Sequence, residues 1–135
     1  GKSQSAATPA LLVEHGVDYM CDWINDDMPY PFRTAAGEIT ALPLSTELED
    51  RFVILANGHS ETEWGDQIID ACDFLIAEAE TAKAGRLLAL NIHPWMLGQP
   101  HRIGQLERVL GRIMGTGKAY SASPGEIRSV WLSQQ

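Results

Sequence analysis

The segment Leu87–Ile103, LLALNIHPWMLGQPHRI, constrains this chain more than any other. Its apolar run, Leu87 to Leu90 and then Ile92, ends in His93-Pro94, and Gly98 and Pro100 separate that ending from a helical pattern. A short, nearly unbroken apolar run predicts a strand covered on both faces, as in a parallel sheet flanked by helices. Pro94 stops the ladder because it has no N–H to donate. His93 therefore closes a buried strand, the position at which parallel α/β folds carry catalytic groups. Two readings of it stand side by side: a general acid or base, or a histidine hydrogen-bonded in place to end a strand.

Caps and spacing place the other elements. Thr8-Pro9 opens a short helix over Pro9–His15, with Gly16 as its stop and His15 in the last turn, where the helix dipole favours a cation. Val17–Trp23 (VDYMCDW) is strand-like, and Trp23–Phe32 (WINDDMPYPF) is a polar, proline-rich loop at its end. Gly37–Thr46 is extended, with Pro43 keeping it from a central position in a sheet. Arg51–Ala56 is a strand or a helical turn, and Asn57–Ser60 is a turn carrying His59. Ser60 and Glu63 form a capping box ahead of Trp64, Ile68, Cys72 and Leu75, with Gly85 as the stop. The acids of this helix, from Glu61 to Glu80, predict a solvated face. A helix from about Pro100 buries Ile103, Leu106, Leu110 and Ile113 and ends at Gly115–Gly117. Lys118–Ala122 is a short strand, and Ser123-Pro124-Gly125-Glu126 caps a last helix with Ile127, Val130 and Trp131 as its stripe. Strands alternating with helices, without hairpin signals, predict parallel β/α units within one segment, 1–135.

Charge excludes some partners. With 10 basic against 18 acidic residues the net charge is −8, so no basic face is available for a nucleic-acid backbone. No apolar run approaches the roughly 20 residues that span a bilayer. The opening GKSQSAATPA has no signal-peptide core, so the expectation is a cytoplasmic protein without a membrane partner. Cys21 and Cys72 lack the C-x-x-C spacing of a metal or redox site and read as reduced core residues. Asp22, Asp26 and Asp27 cluster at the end of the first strand, where carboxylates can orient a histidine, bind a metal or bind a cation. Turn formation explains Asp26 and Asp27 equally well, and Asp22 is the better functional candidate.

With CDWINDDMPYPF and LNIHPWMLGQPHRI placed, the sequence resembles the C-terminal part of the polysaccharide deacetylase family, in the branch holding allantoinase-like and peptidoglycan-deacetylase-like proteins. The resemblance also covers the opening GKSQSAATPALLVEHG, the acidic helix and the closing SPGEI. It implies the C-terminal half of a distorted (β/α) barrel, and a hydrolase that deacetylates an amino sugar or opens a cyclic ureide such as allantoin. Metal-dependent members use a divalent ion, usually zinc, to polarise the carbonyl, an aspartate as base, and a histidine after a late strand to protonate the leaving nitrogen. By its Leu-x-Ile-His-Pro context His93 matches that acid, and Asp22 matches the segment that orients it. Trp23, Tyr30 and Trp95 would line the substrate pocket, and His101 and Arg102 would meet an anionic substrate group, although core packing, capping or a salt bridge explains these residues too. The family's N-terminal Asp-Asp and His-x-x-x-His elements do not occur in this sequence, so no metal is assigned to this chain alone. Zinc is expected only with an N-terminal half present. Half a barrel leaves edges uncovered, which implies a missing half supplied by another polypeptide, self-association, or a fragment cut from a larger protein. The alternative is a non-catalytic half-domain used for association or ligand binding.

Overall fold

A computed structural model describes residues 4–135. Gly1, Lys2 and Ser3, which open the stretch GKSQSAATPALLVEHG, lie outside the described residues. The chain divides into two compact units, one running to Leu44 and resuming at Ala122–Gln135, the other spanning Ser45–Ser121.

The first unit holds α1 (Thr8–Glu14), β1 (Tyr19–Met20), β2 (Tyr30–Thr34), β3 (Gly37–Ala41) and α5 (Pro124–Leu132). Gly16, at a φ of +72°, ends α1 as expected: its N–H bonds Val13 O at 3.0 Å and that of Val17 bonds Leu12 O at 2.9 Å. The sheet order is β1-β3-β2, with β1 parallel and β2 antiparallel to β3. Two expectations are corrected here. The strand ending at Ala41 is central, because Pro43 lies beyond the last paired residue and costs the ladder nothing. Part of the loop WINDDMPYPF is an edge strand in a hairpin with β3, so the pairing is mixed instead of wholly parallel. The turn lacks an Asn-Gly or Asp-Gly pair; it closes through the Thr34 hydroxyl, which accepts from Ala36 N–H at 3.1 Å and donates to Gly37 O at 2.8 Å. Gly37, at a φ of +134°, permits the turn. Ile39, Thr40 and Ala41 are all buried, as befits a central strand. Arg128 on α5 donates from Nε to the Thr40 hydroxyl at 3.2 Å and faces Asp18 at 3.5 Å.

The second unit holds a 3-10 turn (Thr46–Leu48), a π-helix (Arg51–Ala56), α2 (Glu61–Ala82), α3 (Pro94–Leu97) and α4 (Ile103–Gly115). Its core is Val53, Ile54, Trp64, Ile68, Met96, Leu97 and Val109. Trp64 is fully buried, and its indole N–H is satisfied by Leu48 O at 3.0 Å. Both capping boxes form as read, on Ser60 and Glu63 and on Ser123 and Glu126. α2 stops earlier than Gly85, on Lys83 in the left-handed conformation. In α4 the fully buried position is Val109, while Leu110 is 45% exposed. Gly65 lets α2 and α4 approach; a Cβ there would lie 3.2 Å from Val109 Cγ2. The acidic face of α2 is not simply solvated, since Asp66 pairs with Arg108 at 2.9 Å, Asp73 with Arg112 at 2.8 Å, and Glu80 with Lys118.

The expected strand at Leu87–Ile92 is the main departure. It has no ladder; Ser45 N–H bonds Ala89 O at 3.1 Å, and among the described residues no N–H from Leu87 through Ile92 donates a backbone hydrogen bond. Leu88, Leu90 and Ile92 pack against the core all the same. Apolar spacing reports burial, whereas a strand also needs a neighbour to pair with. Lys118–Ala122 likewise forms no strand.

Candidate active site

His93 stands where the apolar run meets α3, as the N-cap residue, and the buried Met96 and Leu97 anchor that short helix beneath it. Gly98 ends it closely: a Cβ there would press into the carbonyl oxygen of Pro94. The ring is held by Asp50, 43 positions earlier in the chain. This carboxylate, 0% exposed, accepts from Arg51 N–H at 2.7 Å and His93 N–H at 2.8 Å, and its Oδ1 lies 2.6 Å from His93 Nδ1. A carboxylate can only accept, so Nδ1 carries the proton. Three N–H donors compensate a charge that burial alone would forbid. Asp50 also caps the π-helix Arg51–Ala56, a rare geometry that recurs at functional sites.

Because Asp50 occupies Nδ1, Nε2 is the ring nitrogen left to address another molecule. Glu49 Oε1 lies 3.6 Å from Nε2. Trp95 sets its edge against the imidazole, with ring centroids 5.5 Å apart and planes at 63°, and is itself 55% exposed. The result is a half-buried imidazole with a fixed tautomer, a flat exposed aromatic beside it and a carboxylate at its working nitrogen. That arrangement suits proton donation to, or acceptance from, a bound group.

The remaining candidates are placed as follows. Within the first unit, Asp22 is exposed just after β1, the Trp23 ring lies 5.2 Å from that of Phe32, and Tyr30 donates its hydroxyl to Trp23 O at 3.0 Å. Trp23 and Tyr30 are thus brought together. Burial, and then the charge of Asp22, raise the Cys21 thiol above its ordinary value; burial, and then Asp73, do the same for Cys72. In the second unit His101 is exposed, and Arg102, at the N-cap of α4, points Nε at Glu61 from 3.9 Å, the salt bridge that the sequence offered as one explanation for it. Sequence reasoning missed Glu49 and Asp50. An acid pair does precede the apolar run RFVILA, but nothing local distinguishes it from ordinary turn acids.

Among the described residues no three His, Cys, Asp or Glu side chains gather as a metal site. Around His93 the fit fails for a specific reason: both Asp50 oxygens already accept N–H bonds, which leaves one nitrogen and one carboxylate. Among the described residues no helix is long and apolar enough to cross a membrane.

No family model and no curated protein matches the chain. Solved structures do. A probable polysaccharide deacetylase from Pseudomonas aeruginosa PAO1 superposes with a TM-score of 0.79 at 26% identity, covering 95% of this chain and 43% of that one. The chain shares the fold of part of a polysaccharide deacetylase. Puue allantoinase shares that fold with it at a TM-score of 0.81 and 23% identity over 96% of this chain and 44% of its own, and a proposed polysaccharide deacetylase from Mycobacterium smegmatis at 0.74 and 22% over 98% and 47%. The chain spans less than half the length of each of these polysaccharide deacetylase-fold proteins, in keeping with a C-terminal part.

Proposed function

We propose that this chain is the C-terminal half of a barrel hydrolase acting on non-peptide C–N bonds, and that His93 is its general acid. The observation that carries the reading is the Asp50 clamp, which fixes both the backbone and Nδ1 of His93 and leaves Nε2 to act. In this reading Nε2 gives its proton to the leaving nitrogen as the C–N bond breaks, while Asp50 keeps the ring aligned. Trp95 offers a flat face to a sugar or ureide ring. By the resemblance, Trp23, Tyr30, His101 and Arg102 are carried forward as substrate contacts and Asp22 as an orienting carboxylate. The base that activates water, and zinc where the complete protein uses it, belong to the preceding half of the fold; the described residues around His93 do not fit an ion. That half, or a second copy of this chain, covers the open row at Leu87–Ile92.

The test is hydrolysis of a chitooligosaccharide and of allantoin by the chain together with a polypeptide supplying the N-terminal half. His93→Ala is expected to lower the rate by about 100-fold or more, the scale of general acid catalysis. An unchanged rate would remove His93 from the reaction. If neither preparation hydrolyses either compound, the alternative of a non-catalytic half-domain takes its place.

A further inference from the structure

We infer that Glu49 is a specificity-determining residue of this site, the counter-ion for the ammonium group formed when an N-acyl amine is hydrolysed. The inference rests on His93 being the acid. Glu49 follows the 3-10 turn, and its main chain is pinned at both ends: its N–H bonds Thr46 O at 3.2 Å and its carbonyl accepts from Val53 N–H at 2.9 Å. Its side chain is 15% exposed, and among the described residues its polar contact is His93 Nε2 at 3.6 Å. The contrast with Asp50 is direct. Asp50 has three N–H donors, whereas Glu49 is largely removed from water with one contact that is too long for a hydrogen bond. Such a carboxylate gains from any cation or donor brought to it.

The geometry fixes where that cation arises. A leaving nitrogen must come within about 3 Å of Nε2 to receive its proton, and so arrives beside Glu49. Water adds its oxygen to the acyl carbon, the C–N electron pair stays on nitrogen, and nitrogen takes the Nε2 proton. The products of an N-acyl amine are a carboxylic acid and an amine, and the acid's proton passes to the more basic amine, giving carboxylate and ammonium. The nitrogen is a neutral amine once it holds the Nε2 proton and becomes a cation when it takes the acid's proton, next to the same carboxylate. A cyclic ureide follows a different course, because its leaving nitrogen ends as part of a neutral urea and its new carboxylate is repelled by Glu49. Glu49 therefore favours an acylated amine, such as an N-acetyl amino sugar, over a ureide.

The experiment titrates glucosamine, N-acetylglucosamine and allantoate into the purified chain and into Glu49→Gln, following binding by calorimetry and the His93 ring signals by NMR. Glucosamine is expected to bind the wild-type chain, to shift the His93 signals, and to lose about tenfold or more in affinity in Glu49→Gln. N-acetylglucosamine should bind both proteins alike, allantoate should bind Glu49→Gln more tightly than wild type, and Glu49→Asp should keep the preference for the cation. Absent glucosamine binding, equal glucosamine affinity in both proteins, or parallel loss of the neutral sugar would each overturn the assignment. The two readings fail separately: an unchanged rate in His93→Ala removes the acid, whereas an unchanged glucosamine affinity in Glu49→Gln removes the counter-ion alone.

Discussion

At Asp50 the demands of burial and of chemistry meet in two oxygen atoms. The carboxylate is fully enclosed, and the donors that make this tolerable include the backbone and ring of the residue it orients. Asp50→Ala would strand the N–H groups of Arg51 and His93, so a loss of about 3 kcal/mol is expected, read as a lower urea midpoint with an unchanged slope. Asp50→Asn, which keeps an acceptor oxygen, should cost less. A midpoint in Asp50→Ala equal to that of wild type would mean the clamp is not formed. His93 was legible in the sequence because a histidine before proline at the end of an apolar run is a local signal. Asp50 was not: its partner lies 43 positions away, and nothing in the stretch ELED separates a buried clamp from an ordinary turn acid.

Among the elements, helix starts were legible and sheet pairing was not, for one physical reason. A capping box is complete within four residues, whereas a ladder depends on a strand elsewhere. The turn at Ala35-Ala36 carries no residue that announces a hairpin, and the Leu87 run has burial without pairing. The caps also give a pH dependence. Hydrogen bonds from the Ser60 backbone and hydroxyl hold the Glu63 carboxyl below its ordinary value of 4.5, and those from Ser123 do the same for Glu126. A carboxyl lowered in the folded state contributes stability that is present above its unfolded value and is lost as pH falls through the folded one. Glu63→Gln and Glu126→Gln should therefore flatten the fall in stability below pH 4.5, measured by urea unfolding across the acid range. Salt probes the rail of ion pairs between α2 and α4. These groups are about half exposed, so Arg112→Gln should cost less than about 1 kcal/mol at low salt. The difference should close near 1 M salt, where screening acts over about 3 Å; a difference that persists there would mean Arg112 acts through packing.

For the molecule as a whole, the α/β class and the order of α1, α2, α4 and α5 could be read ahead of the structure, while the short α3 could not; nor could the division at Leu44 and Ala122, because no linker composition marks it. The row Leu87–Ile92 remains the place where the chain looks unfinished. Its amide hydrogens should exchange with solvent faster than those of α2, and exchange should slow when a polypeptide supplying the preceding half of the fold is added. Equal exchange with and without that polypeptide would argue that nothing pairs there. The row has a further consequence for anyone handling the protein. Leu87, Leu88, Leu90 and Ile92 with Asn91 make an uncharged, proline-free stretch with donors to spare, the composition from which steric zippers assemble. Prepared without whatever completes it, the chain carries its own seed for cross-β stacking, and the yield of soluble protein becomes a direct readout of how well that row is covered.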